Sequence, residues 1–589
     1  MKLNNLLAIC LLAAGAFTAS ARDAWLHIYR NDTIVVEDKD ADAVRLYGNF
    51  NSFPMAEVDS LRFVADRESD KMKRLRIHYR KEGKPASKII SLNCIRKWDI
   101  GPNPPEFHIT TVDNPELTDV ESKTQYLNAR LKVNGFGLAA DFEGDALVRG
   151  RGNSTWNHPK KAYRLKLPVK TSLCGYRKAK NYVLLANYID LSMMRNEVAC
   201  LATQLVGMPY PTHAKPVDVY FNSNYKGSYM LIEKVGINNG SVNIPQADEP
   251  NSIMFEMDVN YDETLRFKSP AFHLPVMHKD PDVPADATEA KIWFNEWADD
   301  FIRMETAVKE GKDIGQHIDY ATLAKYLLVF NLCCNQEINH PKSIYLYKTK
   351  GGKYQFGPCW DFDWAFGYQP TYRAYSEGDI TQEEGERLIA EALAYIESIG
   401  LSPYSFFTWN GIDLIWYGGT DFLLYRDGSV SPWPYGVRHY GPSYSNYLLG
   451  AYKNTGQITN SGDPELGNGG EFFLSIIMDN PEFMAEYKRV WEDFRSKLDI
   501  FWEEFDAYAK ALEPTAAKNN TVWQNRYTSA VDSEFEDYAD GTYAGAIEVL
   551  RRWVEKRLEF MNDPDTNYGL YDPHTDYKRG TIASTSSGK

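Results

Sequence analysis

The chain reads as an α+β protein in several parts: a small β-rich N-terminal domain, a mixed core of strands and helices, and a helical C-terminal region. Three observations predict this. Residues 22–100 alternate apolar and polar positions between turn signals, as in Ala24-Trp25-Leu26-His27-Ile28-Tyr29 and Leu75-Arg76-Ile77-His78-Tyr79. From Phe107 to about Gly367, two-residue and helical periods follow one another. Past 471, apolar residues recur at three- and four-residue steps, as at Ile547, Leu550, Val554, Leu558 and Met561.

At 589 residues the chain is too long for one core. Residues 1–21 read as a secretory signal, with Lys2, an apolar run from Leu6 to Phe17, and Ala19-Ser20-Ala21 as a cleavage site. Leu7-Ala8-Ile9 before Cys10 fits a lipoprotein box poorly, and no segment has the 18 or so apolar residues of a membrane span. The expected location is secreted, periplasmic or at the cell surface. The β-rich domain of 22–100 ends at the stiff linker Gly101-Pro102-Asn103-Pro104-Pro105. The core of 107–370 follows, with a predicted hairpin over Val217–Phe221 and Ser228–Glu233 and predicted helices over Leu191–Val206 and Tyr320–Gln336. Residues 371–470, rich in Tyr, Trp, Gly and Pro, read as an insertion. Residues 471–562 are helical, including an amphipathic stretch over Phe472–Asp506, and 563–589 form a flexible tail.

The net charge of −15 argues against a nucleic-acid partner. The six cysteines left after the leader form no zinc spacing, and Cys200, Cys333 and Cys334 fall in apolar helical patterns that suit buried thiols. Neither G-x-S-x-G nor H-E-x-x-H occurs, which removes the common hydrolase signatures.

Two segments carry chemistry. Trp360-Asp361-Phe362-Asp363-Trp364 wedges two carboxylates between aromatics. In an extended segment Asp361 and Asp363 share one face, and a divalent cation offsets their repulsion and desolvation. Arg149-Gly150-Arg151-Gly152-Asn153-Ser154-Thr155-Trp156 and Lys160-Lys161-Ala162-Tyr163-Arg164-Leu165-Lys166-Leu167 concentrate cations in an acidic protein. Arg164 and Lys166 share a strand face, and the glycines let the backbone approach an anion. No P-loop is present. Three further places hold polar groups at element ends: the block Asn181 to Asn196, Glu233 at the end of an apolar strand, and Glu337 in Asn335-Gln336-Glu337-Ile338-Asn339. Glu233 is positioned to pair a cation of the basic segment. Glu337 can accept a hydroxyl proton.

In this order the motifs resemble the CotH kinase family of spore-coat (spore coat protein H-like) and secreted proteins. The R-G-x-S and K-K-x-Y-R-L-K-L segments, the L-L-A-N-Y-x-D-x-S-x-x-R-N block, the Y-x-G-x-Y-x-L-x-E hairpin, the N-x-x-x-N loop with its Y-x-Y strand and the W-D-x-D-x-x-F-G close carry the resemblance over about 107–370. It implies an atypical protein-kinase-like core that transfers the γ-phosphoryl group of ATP, with Mg²⁺ or Mn²⁺, to Ser or Thr of a protein substrate. By that resemblance Asp361, also counted as catalytic, and Asp363 bind metal. Lys161 contacts phosphates, Arg149, Arg151 and Arg164 complete their surroundings, and Lys166 and Glu233 belong to the same cofactor-binding set. Glu337 is the catalytic acceptor-orienting acid where the family pattern has Asp, and a carboxylate moved by one methylene bears on rate. Two alternatives stand beside this: a nucleotide-sugar-dependent transferase, and a catalytically degenerate binding protein for a surface glycan, which the aromatic 371–470 region suits.

Overall fold

The computed structural model describes residues 25–573, apart from 38–43, 55–56, 66–71, 245–250, 368–386, 402–404, 425–443, 450–468, 524–541 and scattered one- and two-residue positions. The leader, the end of the tail and much of the 371–470 segment lie outside the described residues. The chain divides into two compact units. One comprises 1–186, 215–231 and 507–525, the other 187–214, 232–506 and 526–589.

In the first unit, β1 (Trp25–Glu37), β2 (Val44–Pro54) and β6 (Ile95–Gly101) form one three-stranded sheet. β3 (Val58–Ala65), β4 (Met72–Lys81) and β5 (Lys84–Ser91) form another. The alternation read from the sequence is realised: Leu26, Ile28, Leu75 and Ile77 are buried in a small shared core. Seven further strands close a barrel in the order β10-β11-β13-β12-β7-β8-β9. They are β7 (Glu106–Thr111), β8 (Leu127–Asn134), β9 (Phe142–Arg151), β10 (Ala162–Thr171), β11 (Ala179–Leu185), β12 (Lys215–Phe221) and β13 (Asn224–Glu233). The predicted hairpin is β12–β13. Its two turn residues, Asn222 and Ser223, have φ of 44° and 67°, the left-handed pair that matches strand twist in a tight hairpin. Tyr163 stacks on Phe221 and Tyr229 inside the barrel.

The second unit contains an antiparallel sheet in the order β15-β16-β14-β17-β18. Its strands are β14 (Ser252–Met257), β15 (Arg266–Lys268), β16 (Pro275–Asp280), β17 (Ile344–Thr349) and β18 (Gln355–Phe356). Helix α1 (Arg195–Leu205) starts four residues later than the sequence suggests. Asp190 explains the delay: its carboxylate accepts the N–H groups of Ser192 and Arg195 and holds the preceding residues in a turn. Helix α2 (Ala287–Glu310) is capped by Asp286 and closed by Gly311 at φ 65°. Helix α3 (Tyr320–Cys333) is capped by Asp319 and ends three residues before its predicted limit, where Cys334 turns left-handed at φ 46°. The stretch Phe472–Asp506 is interrupted: α4 (Gly469–Met478) stops before α5 (Pro481–Arg495), because Asn480 caps the new helix and Pro481 opens it. Helix α6 (Tyr543–Asn562) follows near the chain end. Among the described residues no helix is long and apolar enough to cross a membrane, and the described cysteines are free, with Cys174, Cys200, Cys333, Cys334 and Cys359 buried.

One buried polar cluster fixes α3, the helix that leads into the Glu337 loop. Arg557 of α6 is fully buried and donates to the Asn331 carbonyl (2.9 Å), the Asn331 side chain (2.6 Å) and the Tyr444 carbonyl (2.7 Å). The Asn331 amide donates in turn to the Tyr487 hydroxyl (2.9 Å) and the Tyr568 carbonyl (2.7 Å). Such a charge is tolerated because its donors are used. Truncation strands several buried acceptors at roughly 1–3 kcal/mol each. The expected outcome for Arg557→Met is a loss of more than about 3 kcal/mol of stability, read from urea denaturation.

Candidate active site

The cations of the basic segment belong to the first unit. Arg149 on β9 lies directly opposite Arg164 on β10, and Arg151 lies opposite Ala162. The guanidinium groups are close enough that burial, and then Arg149 and Arg151, lower the pKa of Arg164 against the opposing pull of Tyr126. Among the described residues Arg164 Nε is buried without a hydrogen-bond partner, and Arg149 lies over the Tyr126 ring at 5.1 Å. Lys166 is exposed on the same strand face as Arg164, as the alternation requires.

The adjacent lysines separate. Lys160 is fully buried, donates to the Ser228 carbonyl (2.6 Å) and Asn519 Oδ1 (2.8 Å), and sits over Tyr229. Burial holds its pKa well below the usual lysine range. Lys161 donates to the Trp156 carbonyl (2.7 Å) and lies over the Trp156 ring at 4.9 Å. The glycines also have internal reasons. A Cβ on Gly150 would lie 2.0 Å from the Trp156 ring, and Gly152 has φ 108° with Thr155 beside it. Gly150 therefore makes room for the indole.

The acidic residues belong to the second unit. Asp361 and Asp363 are in a loop and not in a strand, since β18 ends at Phe356. Asp361 has φ 67°, a left-handed conformation that Asp tolerates better than most residues, so the shared-strand-face argument does not apply. The loop is held by asparagines instead. Asn196, in the first turn of α1, accepts the Phe362 N–H at 2.8 Å, and its amide donates to the Asp363 carboxylate. Asn335 donates to the Asp361 carbonyl at 3.1 Å and accepts the Glu337 N–H at 3.1 Å. Phe362 packs on Phe330, with ring centroids 4.9 Å apart.

Glu337 is buried, and Lys342 Nζ lies 3.2 Å from its Oε1. Burial raises the Glu337 pKa, Lys342 opposes the rise, and Asp361 adds to it, so Glu337 and Asp361 share one field. Asp258 lies just past β14 and accepts the Ser343 N–H at 3.0 Å, while the Ser343 hydroxyl donates to Asp361 at 3.3 Å. Burial and then Glu256 push the Asp258 carboxyl upward, with Lys342 opposing. Glu233 meets His213 at 3.3 Å, which takes the place of the lysine or arginine expected from the basic segment.

Asn196, Asp258 and Lys342 received no role from the sequence. Asn196 closes the R-N end of a recognised block, and Asp258 belongs to a Glu-x-Asp that ends an apolar strand. Those were the available signals.

Asp361 and Asp363 offer hard oxygen donors, and among the described residues Asp361 has only the Ser343 hydroxyl bonded to its carboxylate. No group of three or more His, Cys, Asp or Glu among the described residues can hold a metal alone. This donor set fits magnesium, which takes one or two carboxylates and fills its shell with water and phosphate oxygens.

The chain is thus an α+β protein with asparagine-pinned aspartates and a buried glutamate in the same field. The sequence matches the CotH kinase protein family over residues 148–398 and 445–561. That is more than half of the chain, and the protein belongs to this family. The family supports the kinase-like fold expected from the motifs. No curated protein matches the chain.

Helix α1 also carries Glu197, fully buried, with neither carboxylate oxygen hydrogen-bonded among the described residues. Burial, reinforced by Asp190, raises its pKa well above the ordinary 4.5. The folded state thus keeps a proton that the unfolded chain releases above 4.5, and stability falls as pH rises from there through the folded pKa. In thermal melts, Glu197→Gln is expected to raise Tm over wild type more at pH 8 than at pH 5. An equal shift at both values contradicts the assignment.

Proposed function

We propose that this protein transfers a phosphoryl group from ATP to a serine or threonine hydroxyl of a protein partner, outside the cytoplasm. The observation that carries the reading is the shared field of Glu337 and Asp361, in a loop system held by Asn196 and Asn335. Family membership supports kinase-like chemistry. The leader-like residues 1–21 support the location.

In this reading Asp361 and Asp363 hold Mg²⁺ or Mn²⁺, which when bound neutralises charge on phosphate oxygens. Asn196 fixes the Asp363 carboxylate and leaves it little freedom to rotate. Glu337 orients the acceptor hydroxyl and takes its proton. The pKa that burial raises suits a base working nearer neutrality. For Arg149, Arg151 and Arg164 we propose anion binding within their own unit, since like charges gathered around a buried Nε gain from an anionic ligand. Lys161, Lys166 and Glu233 are proposed contributors to cofactor binding.

The test is a thermal-shift titration with ATP and either Mg²⁺ or Mn²⁺. The expected result is a rise in Tm for the wild type that Asp361→Ala abolishes. No shift with either metal, or a shift with nucleotide sugars in preference to ATP, contradicts the proposal.

A further inference from the structure

We infer that Lys342 is the cation that contacts the transferred phosphoryl group, and that its pairing with Glu337 is the nucleotide-free arrangement of the site. The inference rests on the phosphoryl-transfer reading.

The charge balance of the second unit points to it. Glu337, Asp258 and Asp361 converge on one region, and Lys342 acts on the first two: it pairs with Glu337 at 3.2 Å and offsets the charge of Asp258. The lysine side chain is 25% exposed and the Glu337 side chain 9%, so the ammonium can reach an incoming ligand while the carboxylate stays buried. Its backbone is held on the next residue, where Ser343 has φ 54°, donates its N–H to Asp258 and its hydroxyl to Asp361. Lys342 is therefore anchored beside the carboxylate proposed to hold metal, on a flexible stem with three donors.

Glu337 carries one negative charge at most, whereas a terminal phosphoryl group of a nucleoside triphosphate carries nearly two and three acceptor oxygens. A lysine shared between them moves toward the phosphate. The move leaves Glu337 without its counter-ion, and a carboxylate without a neighbouring cation is the stronger base. Lys342 then faces the equatorial oxygens while Glu337 takes the hydroxyl proton. The new O–P bond forms as the bond from phosphorus to the β-phosphate oxygen breaks, and that oxygen leaves with the electron pair on the nucleoside diphosphate.

Calorimetric titration of the full-length protein with ATP and with ADP, each in excess Mg²⁺, tests this on wild type, Lys342→Gln, Lys342→Arg and the double variant Glu337→Gln/Lys342→Gln. The double variant leaves no buried carboxylate of Glu337 uncompensated and covers the case in which Lys342→Gln fails to fold. Wild type should prefer ATP over ADP. Lys342→Gln and the double variant should lose about tenfold of that preference with ADP affinity retained, the scale of one charge-assisted contact, and Lys342→Arg should keep most of it. An unchanged preference in either neutral variant makes Lys342 a structural counter-ion and overturns this inference alone. Wild type that binds neither nucleotide overturns it together with the proposed function.

Discussion

The Asn196 carboxamide is the constraint on which the acidic site depends. It stands in the first turn of α1 and binds the aspartate loop at two points, the Phe362 N–H and the Asp363 carboxylate. A loop with Asp361 at φ 67° carries backbone strain of about 1–3 kcal/mol and persists only where its surroundings over-determine it. Asn196, Asn335 and the packing of Phe362 on Phe330 provide that over-determination. Each side-chain amide uses a donor and an acceptor at once, which an apolar residue cannot do.

Behind this loop the unit is built to keep α3 and its exit still. The Arg557–Asn331 cluster joins α6 to α3, and beyond the helix Asn339 donates to the Gln336 and Leu448 carbonyls. Glu337 thereby sits on a turn whose backbone is bonded at both ends. Burial of Glu337 and Asp258 in one region raises both carboxyls, and Lys342 moderates each. A carboxylate that is costly to ionise, next to a cation that can be drawn away by a stronger anion, is a base whose strength depends on the ligand.

The sequence carried the local periodicities well and the side-chain roles less well. Alternation at Leu75 to Tyr79 and the Asn/Gly turn read after Phe221 gave strands and a hairpin, although the turn itself is the shorter Asn222-Ser223 and the second strand starts at Asn224. Helix starts were missed at Arg195, where Asp190 bonds backbone groups that a helix reading leaves unassigned. The W-D-F-D-W run was legible as an acidic pair. Its loop geometry was not, because Asn196, over a hundred residues upstream, and Asn335 hold the segment in which Asp361 turns left-handed. The Lys160-Lys161 pair gave no sign that the first lysine is consumed by the barrel, since burial of Lys160 depends on Ser228 and Asn519. Couplings between distant segments, such as Lys342 with Asp258, become visible only when the loops are brought together.

We propose the Asp361–Asp363 loop as the metal end of a phosphoryl-transfer site. It is tested most directly by a crystal structure with Mn²⁺ and a non-hydrolysable ATP analogue, using anomalous scattering to locate the metal. The expected result is a manganese peak bonded to carboxylate oxygens of Asp361 and Asp363 and to phosphate oxygens of the analogue, with Asn196 still holding Asp363. Nucleotide bound with no manganese at these two side chains, or manganese seated elsewhere in the protein, contradicts it.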